Sequence, residues 1–320
     1  MALKQRKVVV VGCGLVGVSY AYGLFVSGGC DKLAMIDINK VRLSGDVADL
    51  CHGMAFAEKN MDIYMGSYAD CRDADIVVLC AGAAQAPGEG RISLLRRNKK
   101  VFDEILPRIM ASGFGGILLV ATNPVDIMTS YSRGVTGLPY TRVIGSGTML
   151  DTGRLRFLLG KYFQVDPKNV HSYVMGEHGD GEFVPWSQAN IATKSIVSIC
   201  KDSGGRFDVS DVYSMEKEVR NMAYKIIAEK GATCYGIGMA LCRLTSVIFS
   251  DEKSILTPSC MLMGEYGRSG VYVGVPAVVG RDGICEIVEL ELTGEEMDKF
   301  DSCCDFLTET ARAACERTAF

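Results

Sequence analysis

The sequence predicts an α/β fold: a doubly wound parallel sheet in the first half, followed by a second, α+β domain. Three observations carry that expectation. At 320 residues the chain exceeds what one hydrophobic core usually serves. Short apolar runs of strand length alternate with helical patterns through the first half, the signature of parallel strands joined by crossover helices. Beyond residue 144 the alternation gives way to longer helices mixed with antiparallel-looking strands. The expected division is 1–146 and 147–320.

Strands are expected at 7–11, 32–37, 62–65, 75–80, 117–122 and 142–144. A helix is expected over 92–110, where Leu95, Phe102, Ile105 and Ile109 fall on one stripe. Pro107 lacks an N–H and should kink it. The basic run Arg96, Arg97, Lys99 and Lys100 reads as the solvated face of that helix. The second half predicts a helix at 148–162, a strand at 170–175, helices at 212–230 and 238–249, β segments at 255–263, 270–279 and 284–289, and a terminal helix from 294. No internal repeat or low-complexity linker interrupts the chain.

Composition narrows the class. With 48% apolar and 22% charged residues the chain reads as an ordinary soluble enzyme. A net charge of −4 offers no electrostatic footprint for nucleic acid or an anionic membrane. No apolar run reaches membrane-spanning length, and the first seven residues lead into a strand with no signal-peptide stretch. Thirteen cysteines form no Cys-x-x-Cys pair and none has a histidine at ligand spacing, so no metal site is expected. A reducing cytoplasm follows, with the cysteines acting as small core hydrophobes.

The first expected strand leads into Gly12-Cys13-Gly14-Leu15-Val16-Gly17, a Gly-x-Gly-x-x-Gly loop that opens a helix over 16–25. Gly12 permits the tight turn, Gly14 lets a pyrophosphate approach, and Gly17 allows close helix–strand packing. The helix N-terminus offers unpaired N–H groups to the phosphates. Asp37 closes the second strand twenty residues after Gly17, where a carboxylate meets ribose hydroxyls and repels a 2′-phosphate. A Rossmann-like sheet binding NAD rather than NADP is the expectation.

Only three histidines occur. His52 reads as structural. His178 differs: Gly176, Gly179 and Gly181 surround it, which should expose its ring at a cleft, and Asp151 is available to orient it. An imidazole beside a carboxylate is tuned for accepting a hydroxyl proton. Arg154, three residues after Asp151, shares its helix face and carries a fork that matches a carboxylate. Proton acceptor, orienting carboxylate, anion clamp and cofactor loop together suit hydride exchange with a small 2-hydroxy acid.

With the stretches 11–17, 81–91, 121–126, 144–154 and 176–180 in this order, the chain resembles the L-lactate/malate dehydrogenase family over essentially its whole length. Its bacterial L-lactate-specific members are the most similar. The resemblance implies that His178 takes the substrate hydroxyl proton, Asp151 orients it, Arg154 clamps the carboxylate, and Arg91 polarises the ketone from a segment, 82–98, that closes over substrate. It implies that Asn123 faces the nicotinamide and the substrate oxygen. Val16, Asp37, Arg42, Tyr68, Gly82, Ala83, Ala121 and Ser146 join the three loop glycines at family cofactor positions. Gln85 stands where malate-specific members carry Arg. A neutral residue there would leave malate's second carboxylate buried and unpaired, at about 3–5 kcal/mol. Pyruvate presents only a methyl, which Ala84, Gln85 and Thr233 can accommodate.

The resemblance therefore implies interconversion of (S)-lactate and pyruvate with NAD, in a cytoplasmic homotetramer serving glycolytic fermentation. Ala86 and Gly90 are smaller than the family's usual residues, which leaves open a broader L-2-hydroxyacid dehydrogenase, for example one acting on 2-hydroxyisocaproate. An NAD-binding sensor without catalysis is the reading from a different class. Arg156 and His171 match positions where bacterial members bind fructose 1,6-bisphosphate across a subunit interface; the alternative is a surface arginine and a strand-edge histidine.

Overall fold

The computed structural model describes residues 5–83 and 91–316, without the side chains of residues 91 and 314–316. Six parallel strands and their crossovers occupy the first half: β1 (Lys7–Val11), α1 (Leu15–Ser27), β2 (Lys32–Ile36), α2 (Lys40–His52), β3 (Asp62–Met65), β4 (Ile76–Leu79), α3 (Arg91–Ala111), β5 (Ile117–Val120), α4 (Val125–Thr136) and β6 (Val143–Gly145). Val8 to Val11 are all buried, because helices cover both faces of the sheet and no polar alternation is needed. Val9 pairs with Ala34 on one side and Val77 on the other. The strand order runs β3-β2-β1-β4-β5-β6, so the winding reverses between β1 and β4, where such sheets open a ligand crevice.

The second half holds α5 (Met149–Phe163), a small sheet of β7 (Val170–His171), β8 (Asn190–Ile191) and β9 (Lys194–Ser195), then α6 (Ile196–Asp202), α7 (Val209–Lys230) and α8 (Tyr235–Ser250). It ends with β10 (Ser254–Leu256), β11 (Ser259–Met263), β12 (Ser269–Gly274), β13 (Ala277–Gly280), β14 (Gly283–Ile287) and α9 (Gly294–Glu316). A large core surrounds the main sheet. A smaller one joins α5, α6 and α7 through Leu155, Leu159, Phe163, Val212 and Val219.

Several elements depart from expectation. The segments 255–263 and 270–279 each break in two, at Pro258 and Pro276, because proline cannot donate to a ladder. The broken pieces enter different sheets. The β11–β12 hairpin adds antiparallel to β6, with Ser259 opposite Gly145, and extends the main sheet to eight strands. The expected strand at 170–175 stops at His171, since side chains of α5 and of Thr148 at its N-cap take the next backbone groups. Arg156 Nε donates to Ser172 O at 3.1 Å, Thr148 Oγ1 donates to Val174 O at 2.6 Å, and Thr152 Oγ1 accepts from Val174 N at 2.9 Å.

Helix α3 buries its apolar stripe and continues through Pro107, which lies on the exposed face. Arg96, Arg97 and Lys100 are exposed, but Lys99 is not a solvated-face residue. Its side chain is 13% exposed, pairs with Asp103 at 3.1 Å, and lies over the Tyr131 ring, 4.8 Å from the centroid. Nine of the twelve described cysteines are buried and all twelve are free, as small core hydrophobes should be. Among the described residues no helix is long and apolar enough to cross a membrane.

Candidate active site

The expected cofactor residues follow the carboxyl ends of six strands. Gly12 lies directly after β1, Asp37 after β2, Tyr68 beyond β3, Gly82 and Ala83 beyond β4, Ala121 and Asn123 after β5, and Ser146 after β6. Parallel strands thereby bring residues far apart in sequence to one edge. Gly12 has φ +95°, and a Cβ there would lie 2.2 Å from Ala81 N. A Cβ on Gly17 would lie 2.1 Å from Gly12 O. Gly14 is the opposite case: it caps α1, and a Cβ would meet nothing within 4 Å, so the helix N-terminus faces open space. No acidic side chain occupies the first turn of α1 to cancel its partial positive charge. This cradle fits a pyrophosphate.

Asp37 does more than the sequence suggested. Its Oδ2 accepts Cys13 N at 2.7 Å and its Oδ1 accepts Asn39 N at 2.8 Å, so the carboxylate also holds the glycine loop in place. Arg42, on α2, donates its backbone N–H to Asn39 Oδ1 at 3.1 Å and pairs with Asp46 at 3.6 Å. The Arg108 guanidinium lies 5.6 Å from the centre of the Tyr68 ring. Val16, Ala83 and Ala121 are half-buried and Ser146 is buried.

Asn98 was missed by sequence reasoning. It is 1% exposed; its Oδ1 accepts Ala83 N and its Nδ2 donates to Asn123 O, each at 2.7 Å. One amide thus ties the connection after β4 to the connection after β5. The available signal was a polar residue three positions after Leu95, inside the apolar stripe of α3.

Helix α5 and the loop after β7 assemble the expected triad. His178 Nδ1 meets Asp151 Oδ2 at 2.6 Å, and Arg154 donates to Asp151 Oδ1 at 2.8 Å. Asp151 is 1% exposed and Arg154 10%, while the His178 side chain keeps 23%, which leaves the ring open on one side. Asp126, also absent from the sequence expectations as a site residue, accepts the His178 backbone N–H at 2.9 Å and fixes the loop. Burial alone pushes the His178 imidazole down, but the Asp151 charge and hydrogen bond outweigh it and lift the group to about 9. Burial alone would raise Asp151, yet the His178 and Arg154 cations hold its carboxyl below the usual range. A further carboxyl, Glu182, lies within 4.8 Å of the pair.

Other expected residues sit apart from this chain of bonds. Thr233 is half-buried in the α7–α8 connection. The Arg156 guanidinium lies over Tyr173, 5.3 Å from the ring centre, and its Nε bonds the residue that follows exposed His171. Gln85 and the Arg91 side chain, with Ala84, Ala86 and Gly90, lie outside the described residues.

Residues 6–145 match the family model for the lactate/malate dehydrogenase NAD binding domain, and 148–318 match that for the lactate/malate dehydrogenase alpha/beta C-terminal domain. The chain belongs to the lactate/malate dehydrogenase family. Its cofactor is NAD. Within the family it is 50% identical over 296 residues to the L-lactate dehydrogenase of Geobacillus sp. (strain WCH70), covering 92% of each chain. It is equally similar, over 294 residues and 92% of each chain, to that of Geobacillus stearothermophilus. A lactate dehydrogenase enzyme from a Medee basin deep-sea metagenome library superposes with a TM-score of 0.94 at 44% identity, over 98% of this chain and 100% of that one. The minor L-lactate dehydrogenase of Enterococcus mundtii, in its ligands-bound form, gives 0.93 at 40%, over 96% and 98%.

Proposed function

We propose that this protein is an NAD-dependent L-lactate dehydrogenase that interconverts (S)-lactate and pyruvate. The hydrogen-bonded chain Arg154–Asp151–His178, in a family member with the cofactor cradle described above, carries the reading. NAD, when bound, supplies the hydride acceptor or donor. His178, held protonated near neutrality, donates a hydrogen bond to the pyruvate ketone oxygen and gives up its proton as that oxygen becomes a hydroxyl; in the other direction it takes the proton back. Asp151 keeps Nδ1 protonated, which presents Nε2 to substrate. Arg154, anchored to Asp151 through one nitrogen, offers its remaining N–H groups to the substrate carboxylate. Arg91 assists at the ketone, Asn123 at the nicotinamide, and Gln85 and Thr233 admit a methyl. We take 1–146 as the cofactor part and 147–320 as the substrate part, bridged by the β11–β12 hairpin.

The same reading makes the protein a cytoplasmic homotetramer of sugar fermentation, with Arg156 and His171 binding fructose 1,6-bisphosphate at a twofold interface. Steady-state reduction of pyruvate, oxaloacetate and longer 2-oxo acids tests the assignment, with and without the bisphosphate. Pyruvate should be preferred, and Gln85→Arg should move preference toward oxaloacetate by two or more powers of ten. Wild-type preference for oxaloacetate, or unchanged selectivity in the variant, refutes the substrate assignment. Pyruvate saturation curves that coincide with and without the bisphosphate refute the effector assignment. A maximum with a branched 2-oxo acid would favour the broader hydroxyacid reading.

A further inference from the structure

Two carboxyl groups, not one, flank the His178 ring. Ligating atoms of Asp151, His178 and Glu182 all lie within 4.8 Å of one another, and both carboxyls are buried, at 1% and 3% exposure. Asp151 has two cationic partners, His178 and Arg154. Glu182 has none at ion-pair distance among the described residues. The His178, Arg154 and Arg220 cations act on it only through space, and Arg220 Nη2 of α7 donates instead to the Glu182 backbone carbonyl at 2.7 Å and to Glu216 Oε1 at 3.2 Å. Two like charges this close in a buried site do not both ionise freely, so the carboxyl with the weaker support retains its proton.

We propose that Glu182 is a third titrating member of this site, a positioning residue that stays a neutral acid while Asp151 is ionised and whose own ionisation sets the pH at which the His178 imidazolium is lost. The role rests on the dehydrogenase reading above. Burial, reinforced by the Asp151 charge, lifts the Glu182 carboxyl to about 8. The sign follows directly. Below that pH Glu182 is uncharged and leaves the imidazolium to Asp151, with a smaller contribution from Asp126; above it, the new anion holds the proton on His178 and delays its loss. Titration of the two groups is therefore coupled, and each inflection belongs to the pair.

Glu182 lines a cavity of about 770 Å³ between α7 and α9. The charged groups there are Glu177 and Asp180 of the His178 loop, Glu216 and Arg220 of α7, and Glu295, Asp298 and Lys299 of α9, with the Cys303 thiol donating to Gly181 O at 2.6 Å. The Arg154 cation of α5 also acts on Glu182 through space. Acids outnumber cations in this lining, which keeps a cation from being spared to neutralise Glu182 and favours its protonated form.

The test follows the His178 ring by NMR in wild type, Glu182→Gln and Glu182→Asp, alongside the pH dependence of the pyruvate KM. With three histidines in the chain, His52 and His171 variants assign the resonances. Glu182→Gln should lower the His178 midpoint and the pH at which pyruvate binding weakens by about one unit or more, a tenfold or greater rise in KM on the alkaline side. Glu182→Asp should restore part of the shift. A carboxyl-stretch infrared band of the wild-type protein, lost as the pH passes about 8, reports the neutral acid even where a variant fails to fold. Equal His178 midpoints in wild type and Glu182→Gln, or no such band, would overturn the proposal. The NMR and infrared readouts need no turnover, so a protein inactive with pyruvate would sink the dehydrogenase reading and leave this one separately decided.

Discussion

Asp151→Asn isolates the charge that keeps His178 protonated while nearly preserving the shape of the side chain. In the folded protein His178 rises from an ordinary 6.5 to about 9, and the opposing influence is burial. The difference of 2.5 corresponds to about 3.4 kcal/mol at 1.36 kcal/mol per unit, supplied chiefly by Asp151. Removing the charge leaves the burial opposed only by the smaller Glu182 and Asp126 contributions, so the imidazole falls to about its ordinary value. At about pH 8 the protonated fraction then drops from about nine-tenths to a few per cent, roughly thirtyfold. The asparagine amide can also turn its NH₂ toward Nδ1, which puts the remaining proton on the wrong nitrogen. Together these effects should lower kcat/KM for pyruvate at pH 8 by about three to four powers of ten. NADH consumption followed from about pH 6 to 10 should show the alkaline limb moving down by about two units. Circular dichroism and thermal unfolding confirm that the variant is folded, since Arg154 loses its buried partner as well. An alkaline limb that stays where the wild type has it, or a loss below tenfold, would refute the assignment of Asp151 as the group that charges His178.

Three further outcomes are expected. Asn98→Ala leaves the Ala83 N–H and the Asn123 carbonyl without their partner and should cost about 1–3 kcal/mol in chemical denaturation, with weaker NADH binding; unchanged stability would show that water replaces both bonds. Gly17→Val places a side chain 2.1 Å from Gly12 O at its first carbon and should weaken NADH binding about 100-fold or more in a fluorescence titration, so retained affinity would contradict the close-packing role. Asp31 is held at about 2, chiefly by Lys59 at 2.7 Å, against an ordinary 3.8. A lowered folded value means that this stabilisation is complete above the unfolded value and disappears as pH falls through about 2. Both partners are partly exposed, so Lys59→Met should cost under about 1 kcal/mol at neutral pH, with the difference vanishing near pH 2; a gap that persists in acid would refute the pairing.

Much of the fold could be read before any coordinates because the information was local. The inner strands β1, β4 and β5 are continuous apolar runs, and their burial on both faces is what such runs demand, whereas the edge strand β3 keeps Asp62 and Met65 exposed. The glycine loop was readable because its spacing is a local motif, although the steric reasons differ: Gly17 packs against Gly12 O, Gly12 against Ala81 of a distant strand end, and Gly14 faces open space. The second half was harder where proline intervened. Pro258 and Pro276 lie inside apolar stretches that continue on both sides, and only the pairing of β11 with β6 reveals that the halves of each stretch serve different sheets. The shortened strand after Val170 was beyond reach for another reason, since Thr148, Thr152 and Arg156 claim its backbone from a helix folded over it.

Sequence alone determined the residue types of the site and their order: an imidazole among glycines, a carboxylate and a guanidinium three positions apart, and the dinucleotide loop. Those are properties of short segments, and short segments carry them wherever they fold. Tertiary structure decided which groups share a dielectric environment. The distance of Glu182 from Asp151 and His178, the grip of Asn98 on two loops, and the Asp126 bond behind His178 all arise from chain crossings that no local pattern encodes. Charge interactions depend on separation in space and on exclusion of water, and both quantities come into being only when segments distant in sequence pack together.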